Sequence, residues 1–449
     1  MKEHSLTEGR IGSTLLRFAI PFLIASLLQA LYGAADLFVV GRFADSSAVS
    51  AVAIGSQVMQ TITGIILGIS MGGTVLIGKR IGEQNEEGTA KAVGNLAVLF
   101  LLLAVIITPI MIFSTNPAVA LMHTPSEAVH DTRQYLLICA WGIPFIIGYN
   151  AVSGIFRGLG DSKTPVYFIA AACVINIIVD FILAGALHMG AKGAAIATVL
   201  AQGISFLLAF LYMKKKGFSF PFHRNHLRPD RCSLLYILKV GLPLALQDAL
   251  VNVSFLIITA IINTMGIIAS AAVGVVEKLI VFAMLPPTSF ASAVATMTAQ
   301  NMGAKKPERA FRALYCGVGF SLVFGIAVCL YSQFLPKTLT SLFSNDPRVI
   351  ETAAQYLRSY SIDCILVSFI FCMNSYFSGC GKSIISMIHS MIATFAVRIP
   401  LSYVLSQAAG TSLYSIGFAA PAASMVSILI CFGYFAWSRK RVTSAYPQN

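Results

Sequence analysis

The sequence predicts an all-α integral membrane protein of twelve transmembrane helices, arranged as two parallel repeats of six. Three observations carry this: a high apolar content, long apolar runs that recur along the chain, and a short phrase that occurs twice. Of 449 residues, 57% are apolar and 11% charged, well outside the range of soluble domains. Runs of about 20 or more residues, enough to cross a hydrocarbon core roughly 30 Å thick, lie near 15–40, 49–78, 94–115, 131–156, 164–187 and 193–213. A second set lies near 235–262, 268–299, 313–334, 352–377, 383–407 and 414–437. A spanning β-barrel would show short alternating segments instead, and no stretch is left over for a large soluble domain.

The repeat orders these elements. "FRGLGDS" at 156–162 returns as "FSGCGKS" at 377–383, 221 residues later. The first helix of each half carries a proline in its first turns, in "AIP" at 19–21 and "GLP" at 241–243. "SAVAIG" near 50 answers "SAAVGV" near 270 at the start of the second helix, and Gly82 answers Gly303 in the loop after it. Tyr135 in "QYLL" answers Tyr356 in "QYLR" in the fourth helix. The basic segment "KKKGFSFPFHRNHLRPDR", broken by two prolines, separates the copies. The chain therefore divides into an N-terminal lobe at 1–213, a cytoplasmic linker at 214–232 and a C-terminal lobe at 233–449. An even number of helices per repeat gives both copies the same orientation, the arrangement of transporters that rock two lobes against each other.

Charge sets the orientation. With a cytoplasmic N-terminus, 23 of the 31 basic residues fall inside, among them Lys2, Arg10, Arg157, those at 214–231 and those at 439–441. Six fall outside, namely Arg42, Arg133, Lys192, Lys337, Arg348 and Arg358, and Lys278 and Arg398 fall within helices. This bias places both termini in the cytoplasm of a multi-pass plasma-membrane protein. It also accounts for the net charge of +13 as topology and contact with anionic headgroups, with no compact basic domain to bind nucleic acid. The first apolar stretch is too long for a signal peptide and lacks a small-residue cleavage site. The nine cysteines show no CxxC pattern, which argues against a zinc site or a disulfide framework. His223 and His226, with Cys232, read as part of a solvated loop.

Two motif likenesses are set aside. "GLGD" is shaped like the intramembrane aspartyl protease string, but Asp161 ends a helix at the cytoplasmic side and answers Lys382. "GCGKS" is shaped like the tail of a phosphate-binding loop, but the position needing Gly is Tyr376 and no strand precedes it. The sequence thus predicts neither an enzyme nor an ATP-driven pump, and no cofactor. The paired glycines read as tight turns between helices.

Ionisable residues within membrane helices are costly and therefore functional candidates. They are Asp36 in the first helix, Asp180 in the fifth, Glu277 and Lys278 in the eighth, Asp363 in the tenth and Arg398 in the eleventh, with Asp248 at marginal depth in the seventh. Asn176 precedes Asp180 by one turn and shares its helix face. Asn150 and Thr198 complete an oxygen-rich pocket for one small cation, a proton or sodium ion. The counterparts of Asp36 and Asp180 in the second copy are Ile258 and Leu401, so the fold itself demands neither carboxylate. Glu277 and Lys278 point about 100° apart on a helix, one toward a cavity and the other snorkelling. Asp363 and Arg398 read as a structural ion pair or a cavity feature. "MLPP" at 284–287, with Pro286 and Pro287, marks a kink or hinge.

The twelve-helix duplication, "AIPFLIASLLQALYGAADLFVVGRF", "FRGLGDSKTP" and the Asn176–Asp180 pair resemble the multidrug and toxic compound extrusion (MATE) family along essentially the whole chain. The resemblance implies a cavity between two six-helix lobes, alternating outward and inward states, and export of cationic amphipathic compounds in exchange for protons or sodium ions. It implies that Asp36 is the family's first-helix aspartate. Asn150, Asn176, Asp180 and Thr198 match the N-lobe cation site of the DNA-damage-inducible-F-like branch. Where the NorM-like branch places a glutamate in the seventh helix, this chain has Asn252, with Asp248 a turn earlier, which counts against a C-lobe sodium site there. A monomer suffices for such a mechanism. The alternative within the wider superfamily is a lipid-linked oligosaccharide flippase, whose pyrophosphate headgroup calls for several cavity arginines, against Arg398 and Lys278 alone here. A receptor or scaffold would need neither Asp36 nor Asp180.

Overall fold

The computed structural model describes residues 6–408 and 412–445, with side chains through Arg439. Lys2, Lys440 and Arg441, assigned by sequence to the inner side, lie outside the described backbone or side chains. Among the described residues, twelve helices are long and apolar enough to cross a membrane. We label them α1 (Ile11–Phe43), α2 (Ser46–Gly82), α3 (Glu86–Leu121), α4 (Ser126–Gly158), α5 (Lys163–Ala186), α6 (Gly190–Lys216), α7 (Arg231–Asn263), α8 (Ile267–Gly303), α9 (Pro307–Phe334), α10 (Pro347–Gly379), α11 (Ser383–Gln407) and α12 (Leu413–Arg439).

The twice-written phrase forms the same turn twice. Gly160 and Gly381 both adopt positive φ, +87° and +74°, which costs glycine nothing. Asp161 N–H bonds to the Phe156 carbonyl and Gly160 N–H to that of Arg157, both at 2.9 Å, and Lys382 and Gly381 repeat the pattern on Phe377 and Ser378 at 2.8 Å. This is the Schellman closure of a helix C-terminus. The ends of α2 and α8 share a second copy of it: Asn85 bonds back to Arg80 and Lys306 to Asn301. The residue after each glycine gives the two turns different roles. The Asp161 carboxyl caps α5 by accepting from the backbone N–H of Lys163 and Thr164 at 3.1 and 3.0 Å and from the Thr164 hydroxyl at 2.6 Å. Lys382 makes no such cap on α11. Asp161 is thus accounted for by capping.

The chain forms two compact units, one of residues 20–242 and one of residues 6–19 and from Pro243 onward. The partition falls inside α1 and α7, beside Pro21 and Pro243, and not in the linker. In the first unit, α2 and α4 approach closely and are cross-linked: the Ser70 hydroxyl donates to the Asn150 carbonyl at 2.9 Å and Thr74 to that of Gly154 at 3.0 Å. Such small polar contacts hold helices together where lipid supplies no hydrophobic drive between them. Tyr149, Val152, Phe156, Phe168 and Ala209 fill the space between α4, α5 and α6. In the second unit one cluster centres on Phe311, Tyr376, Phe377 and Phe435, and another on Val273, Val276, Tyr356 and Ile416.

One expectation is corrected. The linker is not a solvated loop at His226, which is 5% exposed. His223 N–H donates to its Nδ1 at 3.0 Å, so Nε2 carries the proton and donates to Glu87 at the start of α3, 3.1 Å away. Asp230 N–H donates to Asn95 Oδ1 at 2.6 Å. A Cβ on Gly94 would stand 2.1 Å from the His226 carbonyl, so the absent side chain is what lets the linker lie against α3. Nearby, Asp230 is held below the usual carboxylate range by the Ser233 hydroxyl and N–H that it accepts from. Arg157, one of the basic residues counted on the inner side, is not free in solvent. It is buried in the last turn of α4, donates to the Ser70 hydroxyl at 3.3 Å and sits 5.6 Å from the ring centre of Phe22.

The prolines of "MLPP" open the second segment of α8, Leu285–Gly303, after a one-residue break at Met284. There the missing N–H groups fall in a helix's first turn, where they would lack partners anyway. Neither π-helical stretch was anticipated: α5 loosens over Phe181–Ala186 and α11 over Ile392–Arg398.

Candidate functional site

In the first unit, Asp36 on α1, Asn176 and Asp180 on α5 and Thr198 on α6 converge. Asp36 is 4% exposed, and Asn176 and Asp180 are fully buried. Thr198 donates its hydroxyl to Asp36 Oδ2 at 3.4 Å, and Asn176 and Asp180 both approach the same carboxyl without closing a hydrogen bond within 3.5 Å. Asp180 is the last residue of the regular part of α5, immediately before the π-helical turn. Such turns are frequent at functional sites because they re-aim the side chains on either side.

The cluster is under-satisfied. Asp36 Oδ1, both oxygens of Asp180, Oδ1 and Nδ2 of Asn176 and the hydroxyl of Tyr32, one turn before Asp36, are buried without a hydrogen-bond partner. Buried polar atoms ordinarily find partners, because leaving each unpaired costs about 1–3 kcal/mol. So many in one place make this cluster the candidate site of the first unit. Carboxyl and amide oxygens suit a proton or a hard cation.

Asn150, expected in this set, donates Nδ2 to the Ile146 carbonyl at 2.8 Å within its own helix, and no described contact joins it to Asp36. Among the described residues no ion pair links Asp36 to Arg42.

The second unit holds a different site, a cavity of about 210 Å³ whose lining includes Gln247, Phe255, Tyr360, Asp363, Asn374 and Arg398. Asp363 and Arg398 share it without forming an ion pair. Arg398 donates to the Tyr360 hydroxyl at 3.3 Å and lies 4.3 Å from the Phe255 ring centre. Asp363 Oδ1 and Gln247 Oε1 are buried without partners. Glu277 is half-buried and accepts from the Thr259 hydroxyl at 3.3 Å, Lys278 is exposed, and neither lines the cavity, nor do Pro286 and Pro287. Asp248 is exposed on α7.

Sequence reasoning missed His389, a fully buried residue of α11. Its Nε2 donates to Asn374 Oδ1 at 2.6 Å and its Nδ1 accepts from Ser427 at 2.7 Å, which fixes the amide that faces the cavity. An ionisable side chain inside a membrane helix was the available signal.

The MatE family model matches residues 21–182 and again 243–404, one match in each half of the chain. The protein belongs to the MatE family. Among its relatives, the "Probable multidrug resistance protein YoeA" of Bacillus subtilis (strain 168) is 28% identical over 95% of this chain and 94% of its own length. The "Multidrug export protein MepA" of Staphylococcus haemolyticus (strain JCSC1435) is 25% identical over 91% of each. A solved structure described as the outward-facing conformation of a multidrug resistance MATE family transporter of the MOP superfamily superposes with a TM-score of 0.91 at 23% identity, covering 99% of this chain and 98% of that one. That likeness establishes the twelve-helix, two-repeat fold for this MatE protein.

Proposed function

We propose that this MatE protein is a secondary active multidrug exporter of the plasma membrane, with both termini cytoplasmic, that works as a monomer. It exchanges cationic amphipathic compounds for protons or sodium ions as its two lobes rock. The observation that carries the reading is the closed cluster of Asp36, Asn176, Asp180 and Thr198, whose carboxyl oxygens are largely unpartnered. The family match and the multidrug names of its relatives support the choice of cargo.

The cluster's chemistry supplies the coupling. Asp36 and Asp180 hold buried carboxyl oxygens without partners in one cluster, so a proton or sodium ion entering from outside satisfies them. The relaxed site then favours the outward release of the drug cation, and loss of the ion to the cytoplasm resets it. Coupling requires that ion and drug bias one shared two-state change, which in this reading is the rocking of the lobes.

The test is a purified protein in liposomes, a fluorescent lipophilic cation, and an imposed pH gradient followed by a sodium gradient. Movement driven by one gradient and lost in Asp36→Asn and Asp180→Asn identifies the coupling ion. Native-level transport in both variants would refute the N-lobe site.

A further inference from the structure

We propose that the cavity of the second unit is a dipolar binding pocket, in which Arg398 anchors an anionic group and Asp363 a cationic one. It selects small amphipathic molecules that carry both charges. The proposal rests on the exporter reading and names the chemistry of part of its cargo.

Asp363 and Arg398 line one cavity of about 210 Å³, many times the roughly 10–15 Å³ that one water needs. Opposite charges in a shared, largely apolar cavity ordinarily close on each other, because an unpaired buried charge is costly. Here they do not: the described ion pairs include neither residue, and Asp363, 6% exposed, leaves Oδ1 without a partner.

Arg398 is held in place by neutral groups. The Tyr360 hydroxyl accepts one of its donors and the Phe255 ring covers one face of the guanidinium. A guanidinium has five N–H donors in a planar fork that matches carboxylate, sulfonate or phosphate oxygens. Tyr360 and Phe255 thus fix the plane of the fork without neutralising its charge. Asn374, clamped from behind by His389, adds an oriented amide to the same wall.

The repeat supplies an independent argument. At the register of 221, Asp363 answers Gly142 and Arg398 answers Ile177. The first unit builds the same pair of helices without either charge, so the fold does not require them.

The experiment is equilibrium binding to the purified full-length protein in detergent, read by fluorescence anisotropy. It uses two dimethylaminostyryl-pyridinium dyes of one chromophore, one N-propyl and cationic, the other N-(3-sulfopropyl) and dipolar. The native protein should bind the sulfopropyl dye about tenfold more tightly. Arg398→Gln should erase that preference while leaving the propyl dye's affinity in place, and Arg398→Lys should restore part of it. Asp363→Asn should weaken both dyes. Displacement of the sulfopropyl dye by glycerophosphoethanolamine would assign the dipole to a lipid headgroup, and failure to displace it would assign a free amphipath. Equal native affinities, or an Arg398→Gln that weakens both dyes by one factor, would overturn the proposal. Binding needs no gradient, so failure here leaves the coupling site at Asp36 and Asp180 standing. Loss of gradient-driven transport alone would count against the exporter reading.

Discussion

The first unit gathers carboxyl and amide groups into a closed cluster around Asp36 and Asp180, whereas the second spreads one acid and one base around an open cavity at Asp363 and Arg398. The two units descend from one repeated sequence and share its helix-ending turns, with Gly160 and Gly381 in the same conformation. What differs lies at positions where the copies disagree: Asp180 against Leu401, Asp36 against Ile258, Arg398 against Ile177. Duplication supplied two equivalent bundles, and substitution gave them different chemistry. A closed acidic site suits an ion that must be shielded from competing water. An open pocket with both charges suits a larger ligand.

The largest expected effect separates the two sites by coupling. Asp180→Asn or Asp36→Asn should lower gradient-driven efflux by about 5- to 150-fold, the range of a coupling free energy of about 1–3 kcal/mol. Asp363→Asn should slow efflux of both dyes while the efflux that remains still follows the gradient. The measurement is the initial efflux rate from proteoliposomes with and without the gradient. If Asp363→Asn abolished the gradient dependence as well, the division of labour between the units would fail.

Next in size is a test of the scaffold behind the second pocket. His389→Ala strips partners from Asn374 and Ser427, each at a cost of about 1–3 kcal/mol. The melting temperature in detergent should fall by several degrees, and the sulfopropyl dye should bind less tightly. A melting curve unchanged by His389→Ala would mean that the Asn374 wall is held by something else.

The contrast between the units was partly legible before any coordinates. Asp36 and Asp180 stood out as lone acids in apolar runs, and the mismatched repeat argued that packing does not need them. The tight turns followed from glycine spacing. The π-helical turns after Asp180 and before Ile399 were not legible, because the same apolar residues serve i→i+4 and i→i+5 bonding alike. Nor was the separation of Asp363 from Arg398, since two charges on different helices give no distance. The orientation of Asn150 was not legible either, because an amide can turn back to its own helix, as it does onto Ile146. His226 looked solvated because it lies in a basic segment broken by prolines, yet burial depends on what packs over it. His389 could have been found by the same rule that picked out the acids.

A smaller effect concerns the linker. His226→Ala removes the contacts to Glu87 and to the His223 backbone and should expose the basic segment to trypsin. If the docking is worth about 1 kcal/mol, cleavage within 214–231 should quicken on the order of fivefold, with dye efflux unaltered. Unchanged cleavage would show that Asn95 and the close approach at Gly94 suffice to hold the segment.

Voltage should have no effect at all on one class of cargo, and that absence sharpens the assignment of the first site. If the Asp36–Asp180 cluster exchanges one proton or sodium ion for one monovalent drug cation, no net charge crosses the membrane. A potential of 100 mV contributes about 2.3 kcal/mol per charge moved, so any net charge would change the accumulation ratio by roughly fiftyfold. Clamping the voltage with potassium and valinomycin at a constant ion gradient should therefore leave the steady-state distribution of a monovalent dye unchanged. A dipolar dye bound through Arg398 and Asp363 carries no net charge, so its exchange for one cation is electrogenic and should respond to the same clamp. Two dyes of one chromophore moved by one protein would then differ in voltage dependence, and only the charge of the cargo would distinguish them.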